Sequence, residues 1–275
     1  LEINLDQTIN SGQVFLWKKT DSTWYGVDGQ NVFSASQDRI SSLEKDELGF
    51  FRESDDLGKI FKDISKDRTI KNAVKKFSGL RLLRQDPFQC YISFIVSSNS
   101  SIQNIRSSLH HICEKFGRKT TFQGTKFHLF PEPKRLARAS NAELSSCGLG
   151  YRVPFVKKAA MSVAEKEIDF DFLKKADYHT AKESLLGVFG IGNKVADCIL
   201  LFSLDKLEAF PLDRWILRSL QNYYPEKFSF GGKTLTDKKY QALHDELVEY
   251  FGRYAGYSQQ FLFKMIRDEN QKKWL

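Results

Sequence analysis

The chain has 275 residues, 23 of them phenylalanine, and a net charge of +8 with an isoelectric point near 9.1. So much apolar area excludes a disordered chain, and no run reaches the roughly 18 apolar residues of a membrane span. The positive balance favours a polyanionic partner, held by release of counterions.

The four cysteines, Cys90, Cys113, Cys147 and Cys198, are widely spaced and form no Cys-x-x-Cys pair. The usual zinc patterns are therefore missing, as is a cysteine-rich iron–sulfur loop after residue 198. No charged-then-apolar leader opens the sequence. The expectation is a reduced, intracellular protein with no structural metal and no required cofactor.

In chain order, residues 1–40 alternate like an antiparallel sheet. Val14-Phe15-Leu16-Trp17, Thr23 to Val27 and Asn31 to Ser34 form strand-like runs, with Asp28-Gly29 turning the last two. From about residue 55 the apolar period becomes helical, through Ile60, Ile64, Ala73, Val74 and Phe77. Asp86-Pro87 reads as an N-cap with proline in the first turn of a helix running to about Val96. That helix is apolar on most sides and so belongs at the centre. A helix is expected over 102–116, an irregular connection over Lys119–Pro133, and a short helix over Ala142–Cys147 closed by Gly148. Pro154 opens another. A helix from Tyr178 to Leu186 precedes a glycine turn, Gly231-Gly232 marks a loop, and helices follow from Thr236 to Phe251 and from Tyr257 onward. The sum is an α+β fold: a small N-terminal antiparallel β domain (1–78, with flanking helices) on a larger α-helical body (79–275).

The richest segment is 184–213. Glycines at 187, 190 and 192 let the backbone approach a partner closely, and a new helix opens beside Lys194. Its free N–H groups and positive dipole end make an anion seat. Asp213 follows behind Pro211, where it also reads as a helix N-cap.

This segment resembles the helix-hairpin-helix DNA glycosylase superfamily, in its lysine-bearing bifunctional branch. Leu82-Leu83-Arg84-Gln85-Asp86-Pro87, Ser97-Ser98-Asn99, Gly148-Leu149-Gly150-Tyr151-Arg152 and Tyr254-Ala255-Gly256-Tyr257 are similar to the 8-oxoguanine DNA glycosylases. So is Ser11-Gly12-Gln13, with Phe15 and Trp17 after it. The blocks span nearly the whole chain in the family's order.

The resemblance implies a helix-hairpin-helix at about 178–203 and an 8-oxoguanine glycosylase with associated AP lyase activity. Lys194 would be the nucleophile, attacking the sugar C1′ as a neutral amine and forming an imine that permits β-elimination. Otherwise it is a phosphate-binding lysine. Asp213 would stabilise positive charge on the sugar; its plainer role is the cap. Cys198, one helical turn after Lys194, would face the extruded base with Phe263 opposite, or be an ordinary buried cysteine. Gln259 would read the Watson–Crick edge.

The Gly12 carbonyl would accept the N7 hydrogen that 8-oxoguanine has and guanine lacks. Asn99 would fill the vacated space, Tyr151 would wedge the stack and Arg152 would address the orphaned cytosine. Gly190, Gly192 and Trp215 would meet the backbone. The implied partner is double-stranded DNA containing 8-oxoguanine, preferably opposite cytosine, bound by a monomer in the nucleus or nucleoid.

Two positions depart from the family. Asn104 stands where well-known eukaryotic members carry a second arginine for the cytosine, and Trp215 stands where a histidine meets the flipped nucleotide's phosphate. Arg214 or Arg218 could compensate for the second. The alternatives are a non-catalytic hairpin DNA-binding module and a glycosylase for another oxidised base.

Overall fold

The computed structural model describes residues 2–231 and 235–271. Three antiparallel strands, β1 (Trp17–Thr20), β2 (Thr23–Asp28) and β3 (Asn31–Ser36), lie in sheet order 1-2-3. Asp28 pairs with Asn31 around Gly29, whose φ of +57° suits the tight turn. Trp17 covers Gly26 on the neighbouring strand, where an added Cβ would lie 2.1 Å from the indole. The ring then stacks on Phe50 at 5.2 Å, in a cluster that joins the sheet to Ile3, Ile9 and Leu83.

The N-terminal stretch differs from the alternating pattern in two places. Leu5–Ile9 is a helix, because Asn4 accepts from the Gln7 N–H and caps it. Val14, Phe15 and Leu16 precede β1 rather than opening it, and all three are buried. Gln13, just before this stretch, donates to the Arg81 carbonyl and accepts from the Leu83 N–H, and Gln85 donates to the Gln13 carbonyl; only Leu16 of the three bonds the sheet backbone, accepting from the Val27 N–H at 3.1 Å.

Helical structure also begins before residue 55, with a 3₁₀ segment at Gln37–Ser42 and a helix at Lys45–Phe50. The latter starts in a reciprocal capping box between Glu44 and Glu47. Leu57–Ile64 and Arg68–Lys76 follow.

Pro87–Val96 is the central helix, begun by Asp86 accepting from Gln89 N–H at 2.8 Å. Every side chain from Phe88 to Val96 is buried, each large apolar one stabilising the fold by roughly 1.5–3 kcal/mol. Ile102–Phe116, Val153–Ala164 and Asn193–Ser203 pack around it.

The connection expected to be irregular is instead partly a hairpin, Lys119–Phe122 paired with Thr125–His128. Gln123 and Gly124 both take positive φ, +48° and +77°, giving the turn that matches strand twist. Phe127 packs on Tyr25 of β2, so the hairpin gains its order from the sheet beside it. Pro133–Ala137 and Asn141–Ser145 are short helices, and Gly148 beyond them has φ +76°. Phe170–Lys175 is a further short helix, capped by Asp169, that the apolar period alone does not mark.

Tyr178–Leu186 and Asn193–Ser203 flank the glycine turn, and Arg214–Tyr223, Asp237–Phe251 and Ala255–Gln271 complete the body. Gly231 is exposed; Gly232 lies outside the described residues. The architecture is the expected α+β arrangement, a small antiparallel sheet on a mostly helical body.

Candidate active site

The second helix of the hairpin, Asn193–Ser203, starts at Gly192 with no side chain capping its first N–H groups. The turn before it requires Gly190, which has φ +94° and lies where an added Cβ would meet Phe155 at 2.5 Å. Gly190→Ala should therefore cost roughly 1–3 kcal/mol, read by denaturant unfolding. Gly192→Ala, whose added carbon meets nothing, should cost less, limited to the poorer N-cap that alanine makes. An unchanged midpoint for Gly190→Ala would mean that Phe155 yields freely.

Lys194 projects from the first turn into a cavity of about 780 Å³. Gly12, Cys198, Asp213, Trp215, Gln259 and Phe263 line the same cavity. The Lys194 Nζ donates to Ser97 Oγ at 3.2 Å and lies 5.5 Å from the Phe94 ring centre. Both partners belong to the end of the central helix, so the lysine is held against the best-buried element of the fold.

Asp213 caps Arg214–Tyr223, its Oδ1 accepting from Trp215 N–H at 2.9 Å and Ile216 N–H at 2.8 Å. Burial pushes its carboxyl above the usual range, opposed by the Lys194 charge and these two amides. A buried network ties the strap before Asp213 to the Lys194 helix. Leu212 N–H donates to Tyr240 Oη at 3.0 Å, and that hydroxyl donates to Asp197 Oδ2 at 2.6 Å. Phe210 N–H donates to His244 Nε2, and Lys182 and Tyr178 also donate to Asp197. Asp197 lies on the Lys194 helix, so lysine and carboxylate are fixed in one frame.

Burial pushes the Cys198 thiol up to about 12, which keeps it neutral and makes it a flat apolar wall rather than a nucleophile. Gln259 is buried and donates through Nε2 to the Pro211 carbonyl at 3.3 Å. Its Oε1 is buried with no partner among the described residues, an arrangement that is costly unless a ligand satisfies it. Gly12 has φ +84°, and a Cβ there would come within 3.0 Å of Phe263 Cε1. Gln260 donates to the Ser11 carbonyl at 3.0 Å, so the Ser11–Gln13 turn is pinned to the last helix. Trp215 is half-buried with Arg218 stacked 5.5 Å over its ring, while Arg214 is exposed.

A second cluster forms where the central helix ends. Asn99 takes φ +48°. Tyr151 Oη donates to the Ser98 carbonyl at 3.1 Å, and Arg152 donates to the Ser98 and Asn99 carbonyls at 2.8 and 2.9 Å. The Arg152 guanidinium lies 4.4 Å from the Tyr151 ring centre. Gly190 and Gly192 lie at the hairpin, away from the cavity lining, and Asn104 is exposed.

Among the lining residues given no role in the sequence analysis are Ser97, the lysine's partner, Arg106 and Arg267. Arg267 stacks 5.4 Å over Phe263, and burial lowers its pKa. Its spacing of four from Phe263 on one helix was the available signal; the Ser97 contact spans 97 positions and had none.

The chain is also similar to known proteins. Residues 92–242 match the family described as HhH-GPD superfamily base excision DNA repair protein, and residues 43–91 match the 8-oxoguanine DNA glycosylase N-terminal domain. The N-glycosylase/DNA lyase of Arabidopsis thaliana is 32% identical over 95% of this chain and 77% of its own length. A probable N-glycosylase/DNA lyase of Methanothermobacter thermautotrophicus is 35% identical over 73% of this chain and 68% of its own. Among solved structures, the 8-oxoguanine glycosylase/lyase of Clostridium acetobutylicum, in complex with duplex DNA containing cytosine opposite 8-oxoguanine, superposes with a TM-score of 0.85. It is 27% identical, over 98% of this chain and 93% of that one. With its hairpin lysine, its capping aspartate and matches to both family segments, the chain belongs to the HhH-GPD superfamily of base excision DNA repair proteins.

Proposed function

We propose that this protein excises 8-oxoguanine from duplex DNA and then cleaves the strand at the abasic site. The observation that carries the reading is the convergence of Lys194 and Asp213 with Gly12, Cys198, Gln259 and Phe263 on one cavity. The Clostridium complex with lesion-bearing duplex supports the same substrate.

In this reading the Lys194 amine lone pair attacks C1′ while the C1′–N9 bond breaks, and the base departs with the bonding pair and takes up a proton. The adduct opens to an imine. Loss of a C2′ proton then expels the 3′ phosphate by β-elimination. Asp213 offsets the positive charge that develops on the sugar. Each step uses only these side chains, DNA and water.

The base would slide between Cys198 and Phe263, both uncharged faces. Gln259 Oε1 would accept from the N–H donors of the Watson–Crick edge, satisfying an otherwise orphaned atom. The Gly12 carbonyl would accept the N7 hydrogen of 8-oxoguanine and repel the N7 lone pair of guanine. A polar partner left unpaired in this way can discriminate by about 10⁴-fold.

Extrusion costs a few kcal/mol. Asn99, Tyr151 and Arg152 would fill and brace the gap, while the N–H groups at Gly190 and Gly192, with Trp215, would hold phosphates. The division into an N-terminal domain (1–78) and a body (79–275) is part of the same proposal, as are action as a monomer and location with the DNA in the nucleus or nucleoid.

The test is borohydride trapping on a duplex with 8-oxoguanine opposite cytosine, beside an unmodified duplex. A covalent adduct that needs the lesion is expected. Binding with no adduct would favour a non-catalytic module, and an adduct only with another oxidised base would reassign the substrate.

Asn104 adds a prediction about the opposite strand. Without a second arginine for bidentate contact, selection of cytosine over adenine should be looser than in relatives that have it. Single-turnover excision from the two duplexes measures this; selectivity equal to those relatives would contradict it.

A further inference from the structure

Two of the most exposed large apolar side chains are Tyr151, at 55%, and Phe189, at 63%. They are joined through Phe155. The Tyr151 and Phe155 ring centres are 6.0 Å apart, and those of Phe155 and Phe189 are 5.2 Å apart, both edge to face. A continuous aromatic ridge therefore runs from the Asn99–Tyr151–Arg152 cluster to the hairpin turn. Phe189 immediately precedes Gly190, whose bare backbone lets the turn close onto Phe155.

A phenylalanine ring has no charge and no donor, so it adds nothing to a phosphate clamp. Left in water, it forgoes the gain of burial, and exposed apolar surface of this kind marks a contact. Its position names the occupant: a duplex held by phosphates at the hairpin and braced by Tyr151 spans the ridge, whose hairpin end is Phe189.

We propose that Phe189, backed by Phe155, packs on the deoxyribose and base edges of the lesion duplex, as a second apolar contact beside Tyr151. The contact rests on the DNA-repair reading above. It presses on the groove where the stack is opened, as apolar wedges do when they favour a kinked duplex.

The experiment measures affinity for a duplex carrying a tetrahydrofuran abasic analogue opposite cytosine, across a salt series. Wild type, Phe189→Ala and Phe189→Trp are compared, with single-turnover excision at saturating protein alongside. Phe189→Ala is expected to weaken binding about tenfold at every salt concentration, the scale of one lost aromatic contact. The slope of log affinity against log salt stays unchanged, because no phosphate contact is lost. Phe189→Trp should keep wild-type affinity.

Unchanged affinity in Phe189→Ala overturns the proposal and leaves the ridge to a protein partner. A shallower salt slope also overturns it, because the ring would then be shaping the hairpin's phosphate seat. Wild type that binds but never excises would defeat the functional reading instead, while the affinity comparison still decides the contact.

Discussion

Lys194→Gln should abolish base removal, strand cleavage and borohydride trapping together, a loss of at least about 10⁴-fold, while duplex affinity stays nearly intact. The side chain contributes only one of the 42 lysine and arginine charges, so the salt dependence of binding should shift by about one unit at most. The substitution is also structurally mild. Lys194 is half-buried and its hydrogen-bond partner is the neutral Ser97 hydroxyl. A folded variant that traps no adduct separates a nucleophile from a phosphate-binding lysine, because the latter would lose affinity and keep its chemistry. Full excision by Lys194→Gln would remove the lysine from the mechanism.

Asp213→Asn should slow excision by about 10²–10³-fold, the scale of a lost electrostatic contact to developing charge. The pH dependence gives a sharper reading. Burial raises the Asp213 pKa, with Lys194 and two backbone amides opposing it. In the proposed role the working form is the carboxylate, so activity should fall as pH drops through a value above the ordinary aspartate range. The asparagine variant should lose that acid limb.

Stability moves the other way. A carboxyl whose folded pKa is raised binds its proton more tightly in the native state, so stability declines as pH rises from the unfolded to the folded value. Above that window the ionised group costs stability, and asparagine caps a helix about as well as aspartate. Asp213→Asn should thus unfold at or above the wild-type denaturant midpoint at neutral pH while being nearly inactive. Loss of both stability and activity would reduce Asp213 to a cap.

Much of the helical body was legible because its signals are local. Asp86-Pro87, the Tyr178–Leu186 helix, the 102–116 helix and the Asp213 cap each depend on residues within one or two turns. The candidate site residues were singled out through their resemblance to a family; the residues themselves also allowed a plain cap, a buried cysteine and a turn glycine. The elements that misled are those decided from a distance. Val14–Leu16 has strand-like composition, yet Gln13 just before it is bonded to a segment some 70 positions away. Lys119–His128 looks irregular until Tyr25 supplies a neighbour for Phe127.

The sequence by itself determined the class of fold, the start and stop of the main helices, the positive charge and the hairpin with its lysine, because caps, periodicity and composition act over a few residues. Only the tertiary structure decided that Gly12, Lys194, Asp213, Gln259 and Phe263 face one cavity. It alone brought Ser97 to the lysine, left the Gln259 oxygen without a partner among the described residues and joined Phe189 to Tyr151 through Phe155. The physical reason is that each of these depends on packing between helices far apart in the chain, and no local preference encodes that.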